Sequence, residues 1–249
     1  MAAWDICTET KQQVDDFAKK LAKEAEALVS TFFPQKMEEL QVLLKTSFSY
    51  RDQAFPKAPL DIPIPDPVKE EAKRKKKEEE QKEKAAEKDK EEDGEDSGPP
   101  CGPVCCNERV EVLLKEVKPQ LQTLKEKINT VTTWIQLQIP QIEDGDNFGV
   151  AVQEKVFEML TSSRSKVEGF QTQISKYYSE RGDAVAKASK TPHVGDYREL
   201  VHELDATQYL ELRLMVLDAC ATYAALYDII SKNYAKIKRP RGDCRALIY

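Results

Sequence analysis

Apolar residues recur at helical spacing along most of the chain. Between about Lys11 and Leu44 they fall at Val14, Phe17, Leu21, Ala25, Leu28, Phe32, Met37, Leu40 and Leu44, the buried stripe of an amphipathic helix. Pro34 removes one ladder bond, so a kink or short break near Phe33 is expected within one bent rod. A second stripe, Val110, Leu113, Leu114, Val117, Leu121, Leu124, Ile128, Val131, Trp134, Ile135 and Ile139, predicts a helix from about Glu108 to Ile139. It keeps register across Pro119, which predicts a bend. The third stripe is Phe148, Val152, Val156, Phe157, Leu160, Val167, Phe170, Ile174 and Tyr177. Gly182 is expected to end this helix, since glycine accepts the left-handed conformation beyond a last turn. The fourth starts from an N-cap at Asp196 and follows Leu200, Val201, Leu204, Leu212, Met215, Val216, Ala219, Tyr223, Leu226, Ile230, Tyr234 and Ile237 to Pro240.

Strand-like alternation is not sustained anywhere. The expected fold class is therefore all-α, an elongated antiparallel four-helix bundle, with rods of ~60 Å for about forty residues. The expected organisation is a single domain over 1–249, with helix 1 at about 5–48 and helices 2–4 at about 106–238. A Pro-rich strap at 56–68 should be extended, because each proline restricts itself and the residue before it. The insert at 69–103 is rich in Lys and Glu and cannot bury enough apolar surface to offset its ordering entropy, so disorder is expected there. A tail at 239–249 closes the chain.

Composition narrows the class. The 249 residues carry a formal net charge of −6 and are 33% charged with only 9 glycines, which suits long solvated helices over a turn-rich sheet. No run of about 18 to 20 uncharged apolar residues exists, which argues against a membrane span. The N-terminus lacks the basic flank and apolar core of a secretory signal, so a soluble intracellular protein with reduced thiols is expected. Lys73, Arg74, Lys75, Lys76 and Lys77 form a basic run, but acidic blocks flank it and no aromatic residue is near to stack on a base. Nucleic-acid binding is not expected.

Candidate chemistry is sparse. Cys101, Cys105 and Cys106 invite a zinc site, yet a structural site wants four ligands and the histidines, His193 and His202, lie far along the chain. Solvent-accessible thiols are the simpler reading. Neither histidine neighbours a nucleophile motif, and no Walker loop, dinucleotide fingerprint or EF-hand spacing is present. No catalytic residue, metal or cofactor is expected. Turn residues crowd between helices 2 and 3: Pro140 stops one rod, and Gly145, Asp146, Asn147 and Gly149 suit tight or left-handed turns. This loop reads as either a connector or a working part. Its carboxylates Glu143, Asp144 and Asp146 are expected to cap the next helix rather than hold a metal. Beyond Pro240 the chain ends Arg-Gly-Asp-Cys-Arg-Ala-Leu-Ile-Tyr, an apolar tip on a polar tail. Such a tip suits a pocket on a partner, where a lysine would pair with the carboxylate of Tyr249.

Several segments together resemble the 11S regulator (REG) family of proteasome activators. They are Ala-Pro-Leu-Asp-Ile-Pro-Ile-Pro-Asp-Pro-Val-Lys (58–69), the Lys/Glu insert, Val-Thr-Thr-Trp-Ile-Gln-Leu-Gln-Ile-Pro (131–140), the turn-rich loop, Thr-Gln-Ile-Ser-Lys-Tyr (172–177), Pro-His-Val-Gly-Asp-Tyr-Arg (192–198) and the Leu-Ile-Tyr terminus. The insert favours the alpha subunits over the beta and gamma relatives. The resemblance implies a non-enzymatic, ATP-independent activator in a heptameric ring, homomeric or mixed with a beta subunit, that caps the core proteasome. It implies that tail residues Ala246, Leu247, Ile248 and Tyr249 dock in outer-ring pockets. It implies that an activation loop, Glu143, Asp144, Gly145, Asp146, Asn147, Phe148 and Gly149, opens the gate. Cytoplasmic and nuclear location and a part in antigen processing by the immunoproteasome follow from the same resemblance. Where alpha subunits usually carry Gly-Asn-Asn-Phe-Gly, this chain has Asp146, which exchanges two donors for an acceptor-only group. The alternative reading is a helical scaffold whose charged insert recruits partners.

Overall fold

The computed structural model describes residues 7–49, 57–64, 101–143 and 145–241, together with the single positions Val68 and Lys75. The expectations for the charged insert over 69–100, apart from Lys75, for Asp144 and for tail residues 242–249 lie outside the described residues. Among the described residues the structure is all-helical, without strands, and has four helices.

Helix α1 is one uninterrupted rod over 8–46, built from Thr8–Ala27, a π turn Leu28–Phe32 and Phe33–Thr46. The expected break at Pro34 is replaced by that π turn. The Phe33 amide donates five residues back to the Leu28 carbonyl, and this wider turn admits a residue that has no amide of its own. Helix α2, Glu108–Gln138, passes through Pro119 without a break. Helix α3 is Phe148–Lys190 and helix α4 is Gly195–Lys238.

Gly182 does not end α3. Buried Arg181, Ala184 and Ala188 carry the helical pattern past it, and packing on that face outweighs the ~1 kcal/mol that glycine costs within a helix. The helix stops at Lys190 instead, just before Pro192, which disfavours helical backbone in the residue preceding it. Asp196 is likewise not the cap of α4: it lies inside the first turn, where its charge still favours the helix N-terminus.

The chain divides into two compact units. The first contains 7–49, 112–143, 145–173 and 210–241 of the described residues. Cross-contacts there fix the helix directions. Glu24 pairs with Lys127 while Lys36 bonds Gln120, so α1 and α2 are antiparallel. Lys125 pairs with Glu168 while Gln153 reaches Gln138, so α2 and α3 are antiparallel. Glu26 pairs with Lys238 while Phe33 stacks on Tyr223, so α1 and α4 are antiparallel. Phe33, Leu40, Leu121, Leu124, Ile128, Trp134, Leu160, Leu212 and Tyr223 make its core. By length and composition α4 is apolar enough to cross a membrane. Its fully buried Leu212, Met215, Val216, Ala219 and Tyr223 recur on one stripe, the spacing of a core helix.

Not every residue of the four stripes is buried. Val14, Phe17 and Phe148 are exposed, and Leu200 and Tyr234 are only partly covered. Helical spacing fixes the face on which a side chain sits but not whether another element reaches that far along the rod.

The second unit contains 57–64, 101–111 and 174–209, with Val68 and Lys75. Residues 57–64 of the strap carry no helix, strand or turn. Arg198 holds them by donating from Nη1 to the Ile62 carbonyl at 2.7 Å and from Nη2 to the Pro63 carbonyl at 3.1 Å, and it also bonds the Pro192 carbonyl at 2.9 Å. Lys57 pairs with Glu199 beside it. The unit's polar centre is Asp205. It accepts from Arg181 Nε and Tyr177 Oη, each at 2.8 Å, and from Asn107 Nδ2 at 2.7 Å. Asn107 also caps α2, its Oδ1 accepting the Arg109 and Val110 amides. Burial first, and then the Asp205 carboxylate, hold the Tyr177 hydroxyl far above the usual phenol range.

Candidate functional site: the α2–α3 loop and the root of the tail

Proline sets both borders of this site. Pro140 lacks a donor, and α2 stops at Gln138 with the Ile139 amide folding back to the Gln136 carbonyl. At the other border α4 stops at Lys238 just before Pro240. Lys236 and Lys238 in its last turn suit the negative end of the helix dipole.

The loop reverses direction at Gly145, φ 90°, and Asp146, φ 38°. Gly145 takes this conformation without strain, and Asp is among the few side-chain-bearing residues that tolerate it. Asp146 therefore suits the backbone turn while carrying an acceptor-only carboxylate. Asn147 stands at the cap of α3, its carbonyl accepting the Ala151 amide at 2.9 Å. Its side chain serves the loop: Nδ2 donates to the Glu143 carbonyl at 3.2 Å.

Glu143 does not cap α3 as expected. Its carboxylate takes Arg241 Nη1 on Oε2 at 2.8 Å and the Gln141 side-chain amide on Oε1. A full positive charge within reach outcompetes the partial charge of a helix end. Arg241 Nη2 donates in addition to the Gln141 carbonyl at 2.9 Å and to Asn147 Oδ1 at 3.3 Å. One guanidinium at the root of the tail thus grips three residues of the loop.

Two further features draw these segments together. An added Cβ on Gly149 would stand 1.9 Å from the Pro240 carbonyl oxygen, so only glycine admits the tail root this close to the first turn of α3. Gln153, fully buried, donates from Nε2 to the Gln138 carbonyl at 3.0 Å and to the Ile237 carbonyl at 2.7 Å. It thereby satisfies otherwise orphaned carbonyls at the ends of both α2 and α4.

The loop also presents apolar surface. Ile142 is fully exposed and Phe148 is 73% exposed, with Lys236 Nζ 5.9 Å from the Phe148 ring centre. Phe148 was expected in the core, but it is the first residue of α3 and projects beyond the packed stripe.

Of the candidate residues, Glu143 and Asn147 contact Arg241 and Gly149 adjoins Pro240, while Gly145 and Asp146 form the reversal between them and Phe148 lies by Lys236. Arg241 and Gln153 were not singled out from sequence. Gln153 carried a signal, a polar residue three before Val156 and four after Gly149 on an apolar face. Arg241 carried none, since its partners lie roughly a hundred residues away. Among the described residues no group of three or more His, Cys, Asp or Glu has the arrangement of a metal site.

The sequence matches the family described as "Proteasome activator PA28, N-terminal" over residues 8–67 and "Proteasome activator PA28, C-terminal" over residues 103–246. It is 50% identical over 242 residues to proteasome activator complex subunit 2 of Bos taurus, covering 97% of this chain and 95% of the relative. It is 37% identical over 245 residues to proteasome activator complex subunit 3 of Homo sapiens, covering 97% and 96%. Its fold is similar to the 11S subunit of the Plasmodium falciparum proteasome, PA28, with a TM-score of 0.75 at 23% identity over 97% of this chain and 99% of that one. A chain of the solved complex between an archaeal 20S proteasome and PA26 gives a TM-score of 0.61 at 14% identity, covering 94% and 95%.

Proposed function

Because this chain belongs to the PA28 family of proteasome activators and is a regulatory protein rather than an enzyme, we propose that it opens the gate of the core proteasome by a division of labour between loop and tail. Seven copies form a ring of four-helix bundles, homomeric or mixed with a beta-type subunit. The tail residues Ala246, Leu247, Ile248 and Tyr249 dock in pockets of the proteasome's outer ring and supply affinity. The loop from Glu143 to Gly149 supplies shape, displacing the residues that close the entrance. The carrying observation is that the root of the tail and the loop share one site, joined through Arg241.

The physics needs no ATP. Weak tails act together once the ring is assembled, so avidity exceeds any single contact. The gate then opens because the ring binds the open form better than the closed one. Exposed Ile142 and Phe148 fit this role, since covering a large apolar side chain gives ~1.5–3 kcal/mol. The alpha-type assignment rests on the Lys/Glu insert and is part of the proposal, as are the cytoplasmic and nuclear location and a part in antigen processing by the immunoproteasome.

The test is peptide hydrolysis by purified core proteasome, titrated with the full chain. Wild-type rings should raise the rate without ATP. Deleting Leu247, Ile248 and Tyr249 should abolish stimulation through loss of binding, while altering Gly145 should lower the plateau and leave binding in place. A truncated chain that stimulates fully overturns the reading.

A further inference from the structure

We propose that Arg241 is a positioning residue that transmits tail docking to the loop, so that the height and angle of the loop are set by the same guanidinium that anchors the tail root. The proposal rests on the reading above and deepens it. If affinity and shape were separate properties, a docked tail would say nothing about where the loop stands. The contacts of Arg241 remove that independence.

The geometry is specific in three respects. The acceptors are a carboxylate oxygen on Glu143, a backbone carbonyl on Gln141 and a side-chain oxygen on Asn147, which bracket the Gly145–Asp146 reversal from both sides. A planar guanidinium can meet all three at once, whereas an ammonium, a point charge, satisfies them in turn. Second, the arm that carries it is short. Arg241 follows Pro240 directly, and the Pro240 carbonyl is pressed against Gly149 at the start of α3. Rotation of the tail about its root therefore moves Arg241 and cannot be absorbed by slack before it. Third, the frame behind it is fixed, because Gln153 ties the last turns of α2 and α4 to α3. Its buried Oε1 has no hydrogen-bond partner among the described residues, a cost of ~1–3 kcal/mol that an apolar side chain would avoid. The two bonds from Nε2 are what that residue contributes.

Arg241 is partly exposed, 21%, and Glu143 is 49% exposed. The grip is thus strong enough to orient and cheap enough to yield when a partner surface presses on the loop.

The experiment uses full-length rings and purified core proteasome, reading two quantities: the half-saturating concentration of activator and the plateau of peptide hydrolysis. R241Q should lower the plateau about fivefold, equivalent to losing ~1 kcal/mol of preference for the open gate, while the half-saturating concentration moves by less than about twofold. R241K should recover part of the plateau. R241Q/E143Q should be no worse than R241Q alone, because both variants remove one shared contact. Backbone amides of 141–149 should exchange faster with solvent in R241Q rings without proteasome, a readout independent of activity. A wild-type plateau in R241Q overturns the proposal. So does a raised half-saturating concentration with an unchanged plateau, which would make Arg241 part of docking alone. If wild-type rings do not stimulate, the functional reading itself has failed, and the proposal with it.

Discussion

Two of the arginines that hold non-helical segments of this chain work in opposite surroundings. Arg181 pairs with Asp205, their side chains 8% and 3% exposed, and donates from Nη1 to the Cys105 carbonyl ahead of α2. Arg241 pairs with Glu143, 21% and 49% exposed, and donates to the Gln141 carbonyl after α2. The chemistry is similar: each guanidinium takes one carboxylate and one backbone carbonyl, and Arg241 adds the Asn147 side-chain oxygen. The dielectric differs. A buried pair cannot lose a partner without stranding a charge, which costs ~3–5 kcal/mol. An exposed pair exchanges its partner for water and is worth ~0–1 kcal/mol. The first arrangement is therefore suited to stability and the second to setting the position of a loop that must still give.

The sharpest way to break that contrast is at Asp205. Asp205→Asn keeps the shape of the side chain but turns its second oxygen into a donor that faces the donor Nδ2 of Asn107. Unfolding by urea should show a loss of ~3 kcal/mol, with the midpoint lower and the slope unchanged. Adding Asn107→Asp restores an acceptor opposite the introduced amide, and most of the loss should return. Folded D205N protein should still reach the wild-type plateau of proteasome stimulation. A large loss of plateau with normal stability would mean that the buried network serves function directly, and the contrast would collapse.

Gly149 comes next, since there the two kinds of effect should coincide. A methyl group 1.9 Å from the Pro240 carbonyl oxygen has no flexible side chain to push aside, so the tail root or the first turn of α3 must move. Gly149→Ala should cost about 1–3 kcal/mol, the range for forced overpacking, and should also lower the plateau. Wild-type melting together with wild-type stimulation would show that the approach of Pro240 does not constrain the loop.

The four helices were legible because long amphipathic stripes of period 3.6 admit few other readings, and the stripe of α2 from Val110 to Ile135 is buried throughout. The turn-rich loop was legible as a loop for the same local reason. What escaped was long-range or depended on depth. Gly182 carries a strong stop signal that burial of Ala184 and Ala188 overrides. Val14, Phe17 and Phe148 fall on apolar stripes yet remain exposed, because periodicity does not report where neighbouring elements end. Capping by Glu143 followed from its position, but Arg241, 98 residues away, competes for that carboxylate more strongly than any helix end. The identity of loop residues could be read from sequence, while the contacts that hold them could not.

The smallest expected effect sharpens the same comparison from the exposed side. Glu26 and Lys238 pair at 2.8 Å, their side chains 34% and 45% exposed, and Lys238 lies close in sequence to the tail root. The hydrogen bond from Lys238 holds the Glu26 carboxyl below its usual range, and the bond to Glu26 pushes Lys238 up to about 12. Glu26 is lowered on folding, so its contribution is present above its unfolded pKa and is lost as pH falls through the folded one. Lys238 is raised, so its contribution is present below its unfolded pKa and fades as pH rises toward about 12. The pair therefore stabilises across the neutral range and fails at both ends. Solvent screening keeps its value to ~0.2–1 kcal/mol. Glu26→Gln should lower urea stability by that amount at neutral pH and by nothing once pH falls below the folded pKa of Glu26, where the wild-type carboxyl is itself neutral. The plateau of stimulation should not change, because Glu26 touches neither the loop nor Arg241 among the contacts described. A difference in stability that persisted in acid would assign the effect to packing of the side chain rather than to its charge.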